Sequence, residues 1–341
     1  MGQKESRYTQ HRDSTVPGMH PYTIAPPQRC ARCSLPRWCG IFMVVLVIGL
    51  VALTYIPYVL MHNDILRHDV TAEKIVNLIF FHIWLTLMMT SYFQCVFTDP
   101  GRPPVEWLNA VAALPHPRYA VCAKSKLYKP PRSHFDSITR QLVLNMDHFC
   151  PWVNNTVGFF NRKFFCLFLL YTSLTCLWAA ATTLPHFSEW SNNADAQGGP
   201  VPWGFLTLGY LVIDSVFGVM LVGFFVFHAK LAVDNETSIE HGESCRRYNV
   251  TPRRNWETVF GRSPYLWFVP VYADGPAGDG VHWLCRDGVW VGTADDPDEV
   301  LYETAYPSAA DDQLHVCIDT DAGESARPIE LRHIEEDGTR F

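Results

Sequence analysis

Four long apolar runs govern what this chain can fold into. Gly40–Met61, Ile75–Phe97 and Phe164–Leu184 contain no Asp, Glu, Lys or Arg, and Phe205–Phe227 contains one, Asp214. Each run exceeds about 20 residues, enough to cross roughly 30 Å of hydrocarbon at about 1.5 Å of helical rise per residue. In lipid every backbone N–H and C=O must be paired within the protein, which a helix achieves alone and an isolated strand does not. The expectation is an all-α integral membrane fold, a multi-pass bundle of four transmembrane helices. Overall hydrophobic content is only 48% because polar ends dilute the runs. The first run follows a polar arm without the layout of a cleaved leader, so it is expected to remain as an anchor.

Lys and Arg are distributed unevenly around the runs. Lys4, Arg7, Arg12, Arg29, Arg32 and Arg37 precede the first, and nine more lie between Arg102 and Lys163. The connection Pro185–Gly204 has none, whereas Lys230, Arg246, Arg247, Arg253, Arg254 and Arg262 follow the fourth run. By the positive-inside rule both termini and the 98–163 segment are cytosolic, in an endomembrane (ER or Golgi) or the plasma membrane. The expected organisation is an N-terminal arm 1–39, helices one and two within 40–97, a cytosolic domain 98–163, helices three and four within 164–229, a C-terminal arm 230–270 and an acidic tail 271–341. The tail holds 17 acidic and 4 basic residues, net −13, against −7 for the whole chain. The remaining basic part suits an anionic leaflet and phosphate-bearing ligands; no nucleic-acid partner is expected. The 11 cysteines are scattered and none lies in an expected extra-cytosolic loop, so no disulfide framework is expected.

The chemistry is concentrated in Asp147-His148-Phe149-Cys150-Pro151-Trp152. A carboxylate, an imidazole and a thiol within four residues supply an orienting group, a base and a soft nucleophile. The reactive form of cysteine is the thiolate, and a neighbouring His lowers its pKa or takes its proton. Beside a membrane, an evident electrophile is the thioester of a long-chain acyl-CoA.

This window resembles the DHHC protein S-acyltransferases, integral-membrane enzymes that palmitoylate cysteines. The resemblance runs forward through Gly158, Asn161, Lys163 and Phe164-Phe165 and backward through Lys129-Pro130, Arg132 and His134, with Phe149 where the family has a second His. Asp99-Pro100-Gly101, Thr237-Ser238-Ile239-Glu240 and Asn255-Trp256-Glu257-Thr258-Val259-Phe260-Gly261 resemble three further family segments. The resemblance implies a cysteine-poor DHHC-like domain between helices two and three. It also implies catalysis by Cys150, His148 and Asp147, with palmitoyl-CoA as acyl donor and cysteines of membrane-associated proteins as acceptors. Pro151 and Trp152 would shape the turn and the wall beside the nucleophile. Lys163, Arg132, Lys129 and Arg118 are candidates for the CoA phosphates. Thr237–Glu240, also a plain capping pattern, would pack beneath the active site, and Asn255 would cap backbone.

The family builds two Cys3His zinc sites in this domain, and here the chain departs from it. Cys122-Ala123-Lys124-Ser125 stands in place of a Cys-x-x-Cys pair, and Phe135, Asp136, Thr139, Leu142, Phe149 and Thr156 occupy the other ligand positions. One thiol cannot supply a tetrahedral set, so no metal is expected, and Phe135, Leu142 and Phe149 are expected to fill the space with apolar packing.

Other features carry less chemistry. Gly2 with Ser6 fits a myristoylation pattern, and Cys30, Cys33 and Cys39 stand beside the first run as S-acylation candidates. His82, Asn77 and Asp214 are expected to face the bundle interior. Trp283–Val291 reads as a β-hairpin with a primed turn at Asp287-Gly288. A membrane scaffold that kept the bundle and lost the enzyme is the alternative to catalysis. A channel or transporter finds little support, since charge within the runs is nearly absent.

Overall fold

A computed structural model of the protein describes residues 37–62, 71–115, 117–192 and 201–292. Four of its helices are long and apolar enough to cross a membrane: α1 (Arg37–His62), α2 (Ala72–Phe97), α4 (Arg162–Asn192) and α5 (Val201–Asp234). Their apolar spans are Gly40–Leu60, Ala72–Phe97, Arg162–Pro185 and Thr207–Asp234. The fourth runs past the expected end at Phe227 because His228, Lys230 and Asp234 continue the helix. Thr71 starts α2, its side chain accepting from the Lys74 N–H at 3.3 Å.

The bundle is apolar outside and mixed inside. Ile41, Val45 and Ile48 of α1, Ile75 and Ile79 of α2, and Val212, Val216 and Val219 of α5 are exposed. Asn77, Ser91, Thr175, Thr183, Asp214 and His228 are buried. Water would penalise that exposed surface, whereas a lipid solvent reverses the preference and drives polar groups inward. α4 is the central helix, packed against α2 and α5, while α1 has the least buried of the four spans and lies on the flank. α1 is nevertheless registered by fully buried Tyr58, which stacks on Phe81 at 4.1 Å and shares a 3.0 Å hydrogen bond with Thr182 of α4.

Between α2 and α4 the chain is not helical throughout, so the all-α expectation needs amending. After α3 (Val105–Ala112) come two hairpins, β1 (His134–Asp136) with β2 (Gln141–Val143), and β3 (His148–Cys150) with β4 (Asn155–Val157). Strands of three residues are too short to carry a legible apolar alternation. The Asp99-Pro100-Gly101 turn seats this domain on α2: Gly101 accepts from Leu144 N–H at 3.0 Å and Pro100 from Phe160 N–H at 3.2 Å. Gly158 lets that approach happen, since a Cβ there would lie 2.7 Å from the Pro100 carbonyl oxygen.

After α5 come α6 (Ser238–Gly242) and α7 (Pro252–Phe260), where Trp256 stacks on Phe260 at 3.9 Å, one helical turn away. The expected boundary at residue 271 is corrected by the packing of the residues beyond it. Val281, Trp283, Cys285 and Val291 enter one apolar core with Trp107, Val111, Leu144 and Phe159, and Trp107 Nε1 donates to the Gly292 carbonyl at 2.9 Å. The folded body therefore reaches Gly292, because its acidic composition conceals a set of inward apolar residues. The hairpin pairs as expected, β5 (Trp283–Leu284) with β6 (Trp290–Val291). Its turn is not primed: Gly288 alone has positive φ (84°), and its N–H bonds to the Cys285 carbonyl, the pattern of a turn followed by a glycine bulge. Gly2, Cys30, Cys33, the Cys39 side chain and the tail beyond Gly292 lie outside the described residues.

Buried Trp283 and half-exposed Trp290 differ only by strand face. Trp283→Ala is expected to cost about 3–5 kcal/mol as a core truncation, and Trp290→Ala at most about 0.5 kcal/mol. Thermal unfolding of the two variants in detergent checks the difference.

Candidate active site

Strand parity assembles the reactive pair. Side chains two apart on a strand share a face, so His148 and Cys150 point one way from β3 and Phe149 the other. Cross-strand partners show the same division: His148 faces Val157 and Cys150 faces Asn155, whereas Phe149 pairs with Thr156. A phenylalanine in the middle of the motif is thus compatible with an intact reactive face.

Asp147, just before β3, is 1% exposed and anchors that face. Its Oδ2 accepts from His148 Nδ1 at 2.7 Å and its Oδ1 from the Ser238 N–H at 2.8 Å. Ser238 Oγ also donates to the Asp147 carbonyl at 2.8 Å. Arg162 Nη2 lies 3.7 Å from Oδ1 and His228 Nδ1 3.9 Å from Oδ2. Burial alone would raise the Asp147 carboxyl, but the His148 hydrogen bond and the Arg162 charge together hold it well below the usual carboxylate range. Burial likewise opposes charge on His148, and the hydrogen bonds to Asp147 and Cys150 overcome it, raising the imidazole to about 9. With Nδ1 committed to Asp147, Nε2 is the nitrogen left for the Cys150 thiol.

Two contacts fasten the β3–β4 hairpin to the end of α2. Asn155 Nδ2 reaches the carbonyls of Cys95, Val96 and Thr98 at 3.0, 3.3 and 2.8 Å, satisfying groups that the helix end leaves unpaired. Tyr92 donates its hydroxyl to the Trp152 carbonyl at 3.0 Å. Cys150, 5% exposed, opens onto a cavity of about 400 Å³ that continues between all four long helices. Trp152 and His148 lie at the Cys150 end, and Tyr55, Phe81 and Asp214 lie among the linings deeper in the bundle.

The four candidate cations are brought to different places. Arg132 is buried: it forms a bidentate pair with Glu240 (2.7 Å to each oxygen), bonds Asn235, and sits over the rings of Tyr248 and Trp283 at 4.4 and 4.2 Å. Lys163 is wholly buried, its Nζ bonded to the Leu266 and Val271 carbonyls at 2.8 and 2.6 Å and lying over Tyr272. Neither presents its charge to a ligand, which corrects their assignment to CoA phosphates; both join the C-terminal arm to the hairpin domain. Lys129 is half-buried and Arg118 exposed. The two readings of Thr237–Glu240 hold together: Thr237 and Glu240 close a reciprocal capping box, and Ser238 and Glu240 reach Asp147 and Arg132. Asn255 does cap backbone, bonding the Val233 carbonyl at 2.7 Å and the Val250 N–H at 3.1 Å.

The eroded ligand positions hold a polar network rather than the expected apolar filling. Asp136, 3% exposed, accepts from the N–H groups of Ile138 and Thr139 and from the hydroxyls of Thr139 and Thr156, at 2.8, 3.2, 2.6 and 2.5 Å. Leu142 is buried, but Phe135 and Phe149 are only half-buried. The carboxylate links β1 to β4, and its satisfaction takes precedence over filling space with rings. Among the described residues no three His, Cys, Asp or Glu groups gather as metal ligands.

Arg162, Asn155, Tyr92 and His228 are site residues whose roles the sequence alone does not assign. Arg162 reads there only as surface charge. His228 falls one residue beyond the fourth run as drawn, and its position as a polar residue on that helix is the available signal.

Two variants test this geometry. Asp147→Asn removes the anion that helps raise His148 to about 9, so the imidazole should titrate at lower pH. Histidine NMR shifts followed against pH read the change. Arg132→Ala leaves Glu240 buried and unpaired and should lower stability by about 3–5 kcal/mol, measured by thermal unfolding.

Residues 116–244 match the DHHC palmitoyltransferase family. Probable protein S-acyltransferases 14 and 13 of Arabidopsis thaliana are 32% and 33% identical over 272 and 267 residues, each covering 71% of this chain and 88% of the relative. Palmitoyltransferase ZDHHC20 of Homo sapiens is 30% identical over 308 residues, covering 79% of this chain and 81% of the relative. With the Asp147–His148–Cys150 face opening onto an apolar cavity between four membrane-length helices, these likenesses make the chain a member of the DHHC palmitoyltransferase family, a protein S-acyltransferase.

Proposed function

We propose that acyl transfer proceeds in two steps through Cys150, with palmitoyl-CoA as donor and a cysteine of a membrane-associated protein as acceptor. The observation that carries this is the Asp147–His148–Cys150 relay at the end of an apolar cavity. The Cys150 proton passes to His148, and the thiolate attacks the donor's carbonyl carbon. The bond from that carbon to the CoA sulfur breaks, and the leaving thiolate takes the proton from His148. The acceptor thiol then gives its proton to His148, attacks the acylated Cys150 carbonyl and releases the Cys150 thiolate. Thioester is exchanged for thioester, so positioning and proton transfer carry the rate. Asp147 keeps His148 oriented and stabilises its charged form at each stage.

The acyl chain lies in the cavity while CoA stays outside, which suits a Cys150 at the cytosolic boundary and cytosolic termini, in line with the Lys and Arg distribution. Lys129 and Arg118 remain the candidates for CoA phosphates. The scaffold alternative is disfavoured by the hydrogen bonds of Asp147 to His148 and Ser238, which orient a base rather than merely fill space.

The donor set at the eroded positions does not fit structural zinc: one thiol, Cys122, accepts from the Ser125 N–H at 3.4 Å, and Asp136 is saturated by hydrogen bonds. The Asp136 network would do the joining that a metal does elsewhere in the family.

Incubating purified protein with labelled palmitoyl-CoA should place a hydroxylamine-sensitive label on wild type and none on Cys150→Ala; equal labelling of both would overturn the role of Cys150. Lys129→Ala and Arg118→Ala should raise the KM for palmitoyl-CoA with little change in kcat, the pattern of lost donor binding. Metal analysis of active protein should find less than one zinc per chain, with chelator leaving acylation unchanged.

A further inference from the structure

The cavity wall has one feature that a purely hydrocarbon guest leaves unused. Asp214 lies on α5, is 2% exposed and borders the cavity. One side of its carboxyl meets the Cys176 thiol of α4, but Oδ2 has no hydrogen-bond partner. The same cavity is lined by Phe81, Phe217, Ile213 and Ala179, together with Thr175 and Cys176. A buried acceptor left unmatched among apolar groups is costly unless something supplies a donor.

Its depth is informative. Asp214 precedes His228 by 14 positions on the same helix, about 21 Å at 1.5 Å per residue, and His228 borders the reactive face. A sixteen-carbon chain attached at Cys150 extends about 20 Å, allowing roughly 1.3 Å of advance per zigzag carbon–carbon bond. Asp214 therefore stands near where such a chain ends.

Resting on the acyl-transfer reading above, we propose that Asp214 selects an oxygenated acyl chain: a long-chain acyl group with a hydroxyl at or near its terminal carbon, whose O–H donates to Asp214 Oδ2. The methylene chain fills the apolar cavity and the hydroxyl satisfies the orphan acceptor. A plain chain of equal length leaves Oδ2 unpaired, and discrimination in such sites arises from that penalty. Chain chemistry, as well as chain length, then decides which acyl-CoA loads Cys150.

The test offers purified full-length protein an equimolar mixture of hexadecanoyl-CoA and 16-hydroxyhexadecanoyl-CoA, and measures the Cys150 adducts by intact-protein mass spectrometry. The ratio is internal to each sample, so it is independent of how much enzyme is active. Wild type should carry the hydroxylated adduct in about tenfold excess, the scale of one hydrogen bond to a buried acceptor. Asp214→Leu should bring the ratio to one or below. Equal loading in wild type overturns the proposal whatever the variant does, and so does an Asp214→Leu protein that keeps the excess. No adduct from either donor on wild type would overturn the Cys150 reading and this one with it.

Discussion

A single buried carboxylate organises the functional half of this molecule. Asp147 is removed from water, so its charge must be matched within the protein, and the matching groups come from separate elements. His148 belongs to β3, Arg162 to the start of α4, His228 to α5 and Ser238 to the first turn of α6. Removing the anion would leave Arg162 and the hydrogen-bonded amide without their common partner. The arrangement that tunes the imidazole is therefore also the one that holds the membrane helices against the polar domain. Stability and reactivity share one atom pair here, which makes them hard to alter separately.

Much of this is legible from residues. The four apolar runs follow from the lipid solvent, and the first three end within about three residues of the spans found. Asp147, His148 and Cys150 are legible because a nucleophile, a base and a carboxylate so close together leave few other uses. The face they share is not, because three-residue strands leave no pattern; only the pairing of Phe149 with Thr156 explains why the middle position is free to change. The Asp136 network escapes a sequence reading for a related reason. Taken one by one, the substituted metal ligands are merely apolar or polar, whereas their compatibility is a property of the assembled set, in which two hydroxyls and one carboxylate complete one another.

Charge is the least reliable guide. Arg132, Arg162 and Lys163 look like surface cations in a basic segment, and all three are buried. Each is matched to something distant in sequence: Glu240 for Arg132, Asp147 for Arg162, two carbonyls of the C-terminal arm for Lys163. A one-dimensional reading assigns such residues to solvent or to an anionic ligand because the partner is about 100 residues away for two of them and 15 away for the third. The acidic composition after residue 270 misleads in the opposite direction, since charge density hides Val281, Trp283 and Val291, which close the core over Leu144 and Phe159.

The Asn155 clamp has a mechanical implication. Because its amide holds the last carbonyls of α2, and Tyr92 of that helix holds the Trp152 carbonyl, the β3–β4 hairpin is tied to α2 as firmly as Asp147 ties it to α4, α5 and α6. A helix in a bilayer answers mismatch between its apolar length and the hydrocarbon thickness by tilting. Tilt of the bundle as a whole would then displace Cys150 along the bilayer normal. Bilayer thickness thereby bears on how far the Cys150 sulfur stands from the headgroup plane.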